Sequence, residues 1–68
     1  MTLHEFLAHA LKPEIYVRKG QRFMNMLHVH RPDLEEQIAG TENDPFYVDE
    51  LLWTAVEWVK DNWGEEDR

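Results

Sequence analysis

Residues 48–63 read VDELLWTAVEWVKDNW. On a helical wheel at about 100° per residue, Val48, Leu51, Leu52, Ala55, Val56, Trp58, Val59 and Trp63 fall within an arc of roughly 160°. A stripe this broad marks a helix that faces a core. Gly64 follows as a natural stop. Trp58 and Trp63 bring the large apolar area that a small core needs. Such a stripe must be covered by other elements, and the chain upstream supplies them.

Residues 2–5, Thr-Leu-His-Glu, match a capping box, in which the Thr hydroxyl and the Glu carboxylate satisfy two free N–H groups. Leu3, Phe6, Leu7, Ala10 and Leu11 then repeat at helical spacing, and Pro13 stops the helix near Lys12. Residues 14–19 read as a connector that packs Ile15 or Val17 inward. A second helix is expected from about Lys19 to His30, with Phe23, Met26, Leu27 and His30 on one face. Gly20 lies near that face, where a missing side chain permits close helix approach. Pro32 ends this helix and opens a third, short one to about Ala39. Its apolar pair is Leu34 and Ile38, its early acids suit the helix dipole, and Gly40 caps its end. Thr41-Glu42-Asn43-Asp44-Pro45 is a turn-rich loop. Asp44-Pro45 is expected to cap a single helical turn and to send Phe46 or Tyr47 into the core. The fold expected is all-α: a small compact bundle of about four helices, the third short. It packs around Phe6, Leu7, Leu11, Phe23, Leu27, Leu34, Ile38, Leu52, Val56, Val59 and Trp63. Residues 1–64 form the single domain and 65–68 an acidic tail.

The chain has 68 residues, no cysteine and a net charge of −7. A domain this size buries only about 60% of its unfolded surface, and no disulfide or thiolate zinc site supports it. No apolar run exceeds three residues, as in Leu51-Leu52-Trp53, too short to cross a bilayer, so no membrane is expected. The N-terminus lacks the basic and apolar regions of a signal peptide, which points to the cytoplasm. Charge is unevenly spread. Residues 1–31 hold five cations against two acids, and residues 32–68 hold two cations against twelve acids. The plain account is solvated faces whose halves attract each other. The functional account is an acidic face that steers a basic partner.

Trp53 breaks the pattern of the last helix. On the wheel it sits with Asp49, Glu57 and Lys60, roughly 140° from the centre of the apolar arc. If Asp49 is the N-cap, Val48 and Trp53 are placed to form a hydrophobic staple. Alternatively, the connector 14–18 folds over the indole. The third account is an exposed aromatic ringed by acids, a binding hot spot.

Other chemistries find less support. His4 and His9 stand at i, i+5, and on a helix their rings diverge by about 140°, unlike the convergent i, i+4 pair of zinc proteases. His28 and His30 diverge further. No metal and no cofactor is expected. There is no serine or cysteine, and Thr2, Thr41 and Thr54 sit in no nucleophile motif, so the chain does not read as an enzyme. Arg18, Lys19 and Arg22, with Arg31 further on, form a basic cluster that makes a nucleic-acid-binding regulator the runner-up. Against it stand the net charge and the acids of the third helix, where a recognition helix has to approach phosphates.

Several stretches carry a resemblance: Gly20-Gln21-x-Phe23-x-Asn25-x-Leu27, Arg31-Pro32-Asp33-Leu34, Gly40-Thr41-x-x-Asp44-Pro45-Phe46-Tyr47, Trp58-Val59 and Asn62-Trp63. Together they resemble short uncharacterised proteins encoded by bacteriophages and prophages, over residues 18–63. The resemblance implies a small viral accessory protein in the host cytoplasm, with no activity carried over to any residue. The leading expectation is binding to a host or viral protein with a basic surface. Trp53 is the anchor and Asp49, Glu50, Glu57 and Asp61 are the charged rim; a subsidiary reading has these acids mimic nucleic acid. A homo-oligomer, acidic half against basic half, is the third reading.

Overall fold

The computed structural model describes residues 1–64; the acidic tail expected at 65–68 lies outside them. The described residues form a compact all-α globule without strands. Helix α1 spans Leu3–Ala10, α2 Lys19–His30, α3 Pro32–Ile38 and α4 Leu52–Asn62, with a 3-10 turn at Asp49–Leu51. Helix α2 is the hub: α1, α3, the 3-10 turn and α4 all pack against it.

Local chemistry accounts for most boundaries. The capping box closes α1, with Glu5 N–H donating to Thr2 Oγ1 (3.1 Å) and Thr2 N–H to Glu5 Oε1 (3.0 Å). Pro32 occupies the first turn of α3, where its missing N–H costs nothing. Gly40 and Gly64 follow α3 and α4 with φ of +79° and +94°, a conformation that disfavours residues with a Cβ.

The core unites Phe6 and Ala10 of α1, Phe23, Met24 and Leu27 of α2, Leu34 and Ile38 of α3, and Leu52, Ala55, Val56, Val59 and Trp63. Phe6 meets Phe23 edge-on at 5.5 Å and Trp63 at 5.2 Å, so aromatic rings from three elements lock the centre. Two expectations are corrected. Leu7 and Leu11 are only half-buried, because α1 turns Phe6 and Ala10 inward and leaves one flank of its stripe at the surface. Val48 is exposed, and Leu51 and Trp58 are half-buried. For Val48 and Leu51 the reason is the 3-10 turn, whose tighter winding shifts residues 49–51 relative to the α-helix that follows, whereas Trp58 stands at the edge of the stripe formed by Leu52, Ala55, Val56 and Val59. In the connector, Ile15 lies in solvent and Val17 is the half-buried residue.

Arginines join the ends of elements. Arg31, between α2 and α3, grips Asp33 through two hydrogen bonds (3.0 and 2.9 Å). It also donates to the Trp63 carbonyl at 2.8 Å and stacks over the Trp63 ring at 4.8 Å. Arg22 donates to the His9 carbonyl at the end of α1 (3.1 Å) and pairs with Glu14 (2.7 Å).

Two carboxylates hold their protons less tightly than usual. Hydrogen bonding from the Thr2 backbone lowers Glu5, and hydrogen bonding from Arg31 lowers Asp33. A depressed folded-state pKa stabilises the fold above the group's ordinary value, and that gain disappears as pH falls through the folded value. Glu5→Gln and Asp33→Asn are therefore expected to melt below wild type at neutral pH. Both gaps are expected to close on acidification through the carboxylate range. Thermal melts recorded by circular dichroism at stepped pH check this; gaps that stay constant with pH contradict it.

Candidate functional site

The surface around Trp53 is built by the docking of residues 40–51 onto the start of α2. Asp44 organises the loop: one carboxylate oxygen accepts from Gly40 N–H (2.8 Å) and the other from Phe46 N–H (2.9 Å). The expected single helical turn at Pro45–Tyr47 is instead a tight turn, closed by Val48 N–H donating to the Pro45 carbonyl (3.2 Å). Asp44 binds N–H groups on both sides of itself and holds the segment out of helical geometry. Pro45 is fully buried and rests against Gly20, where an added Cβ would lie 1.9 Å from the Pro45 carbonyl oxygen. The close approach expected at Gly20 exists, but its neighbour is this loop and not a helix. Phe46 packs on the core, and Tyr47 points outward, 77% exposed.

Arg18 of the basic cluster and Asp49 of the acidic rim fasten the loop. Arg18 donates to the carbonyls of Phe46 (2.9 Å) and Tyr47 (3.4 Å) and lies 5.9 Å from the Tyr47 ring centre. Asp49 accepts from Gly20 N–H at 3.1 Å. Among the described residues no side chain caps the N-terminus of the 3-10 turn or of α4; Asp49 instead caps α2, 29 residues away, and not its own helix.

Trp53 emerges from this frame 66% exposed. Neither the staple with Val48 nor a cover from residues 14–18 shields it; Val48, Ile15 and Tyr16 are themselves exposed. The indole lines an open groove of about 590 Å³ with Arg18, Lys19, Tyr47, Asp49 and Glu50. The groove is therefore mixed in charge, with cations from the basic half and acids from the acidic half. Of the expected acidic rim, Glu50 is in the groove and exposed. Glu57 lies one turn along α4, where Lys60 pairs with it at 3.2 Å. Asp61, a further turn on, is exposed and outside the groove.

Three of the four cations of the nucleic-acid reading are engaged within the chain. Arg18, Arg22 and Arg31 spend their guanidinium groups on carbonyls and carboxylates of this chain, and Lys19 projects into the groove. Among the described residues, no three His, Cys, Asp or Glu side chains gather as a metal site requires, and no helix is long and apolar enough to cross a membrane.

Tyr47 is the member of the surface that sequence reasoning did not single out. Its ring packs edge-on against Phe46 at 4.7 Å, so Phe46 takes the place on the core and Tyr47, whose hydroxyl favours water, covers it from outside.

Asp49→Ala is expected to cost about 1 kcal/mol, the range for a lost cap. Asp49→Asn retains an acceptor and is expected to recover most of it. Urea unfolding of the two variants checks this; equal losses contradict it. No family model, curated protein or solved structure matches the chain.

Proposed function

We propose that the chain acts by protein–protein interaction, binding a host or viral protein through the face that carries Trp53. The observation that carries this reading is the exposure of Trp53. A domain of this size depends on every apolar group that it buries. Trp58 is half-buried and Trp63 buried, yet Trp53 stands in solvent on an ordered helix beside an exposed tyrosine. Aromatic residues in such positions concentrate binding energy, because a partner can bury a large rigid ring at small entropic cost.

The surroundings define the partner's chemistry. Glu50, Glu57 and Asp61 follow Trp53's side of α4 and favour a basic partner surface, and electrostatic steering accelerates its approach. Asp49 leaves the rim in this reading, since its carboxylate is held by Gly20. The engagement of three arginines by carbonyls and carboxylates of the chain favours a protein partner over nucleic acid, whose affinity depends on cations free to neutralise phosphates.

A photo-crosslinking side chain tests the reading. Placed at Thr54, exposed beside Trp53, it is expected to capture a discrete protein from a lysate of the native host cell. Placed at Gln37, exposed on α3, it is expected to capture none. Equal capture from both positions contradicts the proposed face.

A further inference from the structure

A second surface stands apart from the Trp53 groove. His4, Leu7, Ala8, Leu11, Lys12 and Pro13 line an open depression of about 500 Å³ along α1. Its floor is apolar, formed by the flanks of Leu7 and Leu11 that the core leaves uncovered, with Ala8 and Pro13. His4, in the first turn of α1, and Lys12, just past the end of the helix, are its polar members, the one an imidazole and the other a cation.

The same chain carries the complementary shape. Trp53 is a projecting apolar ring with an acid on either side along its helix, Glu50 three residues before and Glu57 four after. Glu50 belongs to the 3-10 turn and Glu57 to α4, so the two acids flank the indole along one continuous run of backbone. Apolar centre matches apolar centre, and the acids beside Trp53 find in Lys12 an opposite charge and in His4 a hydrogen-bond partner. We propose that the chain associates with itself head to tail, the Trp53 indole of one copy seated in the α1 groove of the next. Arg18 and Lys19 border the indole from the α2 side, so the incoming α1 lies along α4 and not across it. The Glu57–Lys60 pair is exposed, and surface pairs of this kind are weak, so Glu57 can exchange partners.

The groove and the Trp53 surface have no lining residue in common. The contact is therefore heterologous, each copy offering one knob and one groove, and it extends to rings or short chains. Repulsion between copies that each carry −7 limits growth. This inference goes beyond partner binding, because it gives the α1 groove an occupant.

Sedimentation velocity of the full chain across concentration tests it with two variants. Trp53→Ala removes the knob. Ala8→Glu fills the groove and sets an acid against Glu50 and Glu57, at an exposed helical position that tolerates Glu. Wild type is expected to gain mass with concentration, and each variant alone to weaken association by about 30-fold or more, as loss of an anchor does. A mixture of the two is expected to form a dimer and stop there, the Trp53 of one variant filling the open groove of the other. Circular dichroism confirms that both fold. A monomeric wild type overturns the proposal and leaves the groove to another protein. Self-association of Ala8→Glu at wild-type strength overturns it in favour of a symmetric Trp53 contact, and a mixture that stays monomeric overturns it as well. The partner-binding reading fails separately: it requires Ala8→Glu to retain the crosslinked protein, whatever the state of self-association.

Discussion

Gly20→Ala is expected to destabilise the domain by about 3 kcal/mol or more, the upper range for forcing atoms into a packed interior. In an ordinary helix the same change is favourable by up to about 1 kcal/mol, because alanine has the better propensity. Here the sign reverses. The new Cβ would lie 1.9 Å from the Pro45 carbonyl oxygen and 2.8 Å from its carbon. These are backbone atoms of a fully buried residue, so no side chain can rotate away. The loop must lift from α2, and with it go the Asp49 cap on Gly20 N–H and the Arg18 bonds to Phe46 and Tyr47. A domain of this length holds roughly 3–10 kcal/mol in total at typical values per residue, so the variant sits near or past its unfolding threshold. Gly40→Ala provides the contrast. Nothing lies within 4 Å of its added Cβ, and only the positive φ of +79° opposes it, so a cost near 1 kcal/mol is expected. Urea unfolding of both variants checks the pair. Equal small losses contradict the packing of Pro45 on Gly20.

Trp53→Ala is expected to do the opposite: little to stability and much to binding. The side chain is 66% exposed, and alanine is the better helix former, so unfolding free energy is expected to stay within about 0.5 kcal/mol of wild type. Partner affinity is expected to fall by about 2 kcal/mol or more, some 30-fold, as for an aromatic anchor. Glu57→Gln acts at the rim and is expected to change association rate and salt dependence more than dissociation. Titration calorimetry and stopped-flow association with the captured partner measure these effects. A Trp53→Ala variant with unchanged affinity removes the indole from the account.

Where local chemistry decides structure, the chain is readable residue by residue. The capping box at Thr2, the prolines at 13 and 32 and the apolar stripes of α2 and α4 place the helices because each signal acts within a few residues. Trp53 was visible for the same reason, as a break in a regular pattern. Asp49 shows where such reading stops. Its position before an apolar stripe marks it as the cap of the helix that follows, yet its carboxylate finds the Gly20 N–H, 29 residues away in sequence. Arg18 likewise reads as part of a basic cluster, and its guanidinium is drawn to two carbonyls of a loop that only the tertiary fold brings near. The phase of residues 49–51 depends on that same docking, which explains why Val48 leaves the core and the mixed charge of the groove emerges only in three dimensions.

The central claim is that Trp53 anchors a protein partner, and paired affinity capture tests it most directly. Wild-type and Trp53→Ala baits, both confirmed folded, are exposed to the same nuclease-treated lysate of the native host cell. The account predicts a protein retained by wild type and depleted about 30-fold on the variant. The same proteins held in equal amounts by both baits would contradict it.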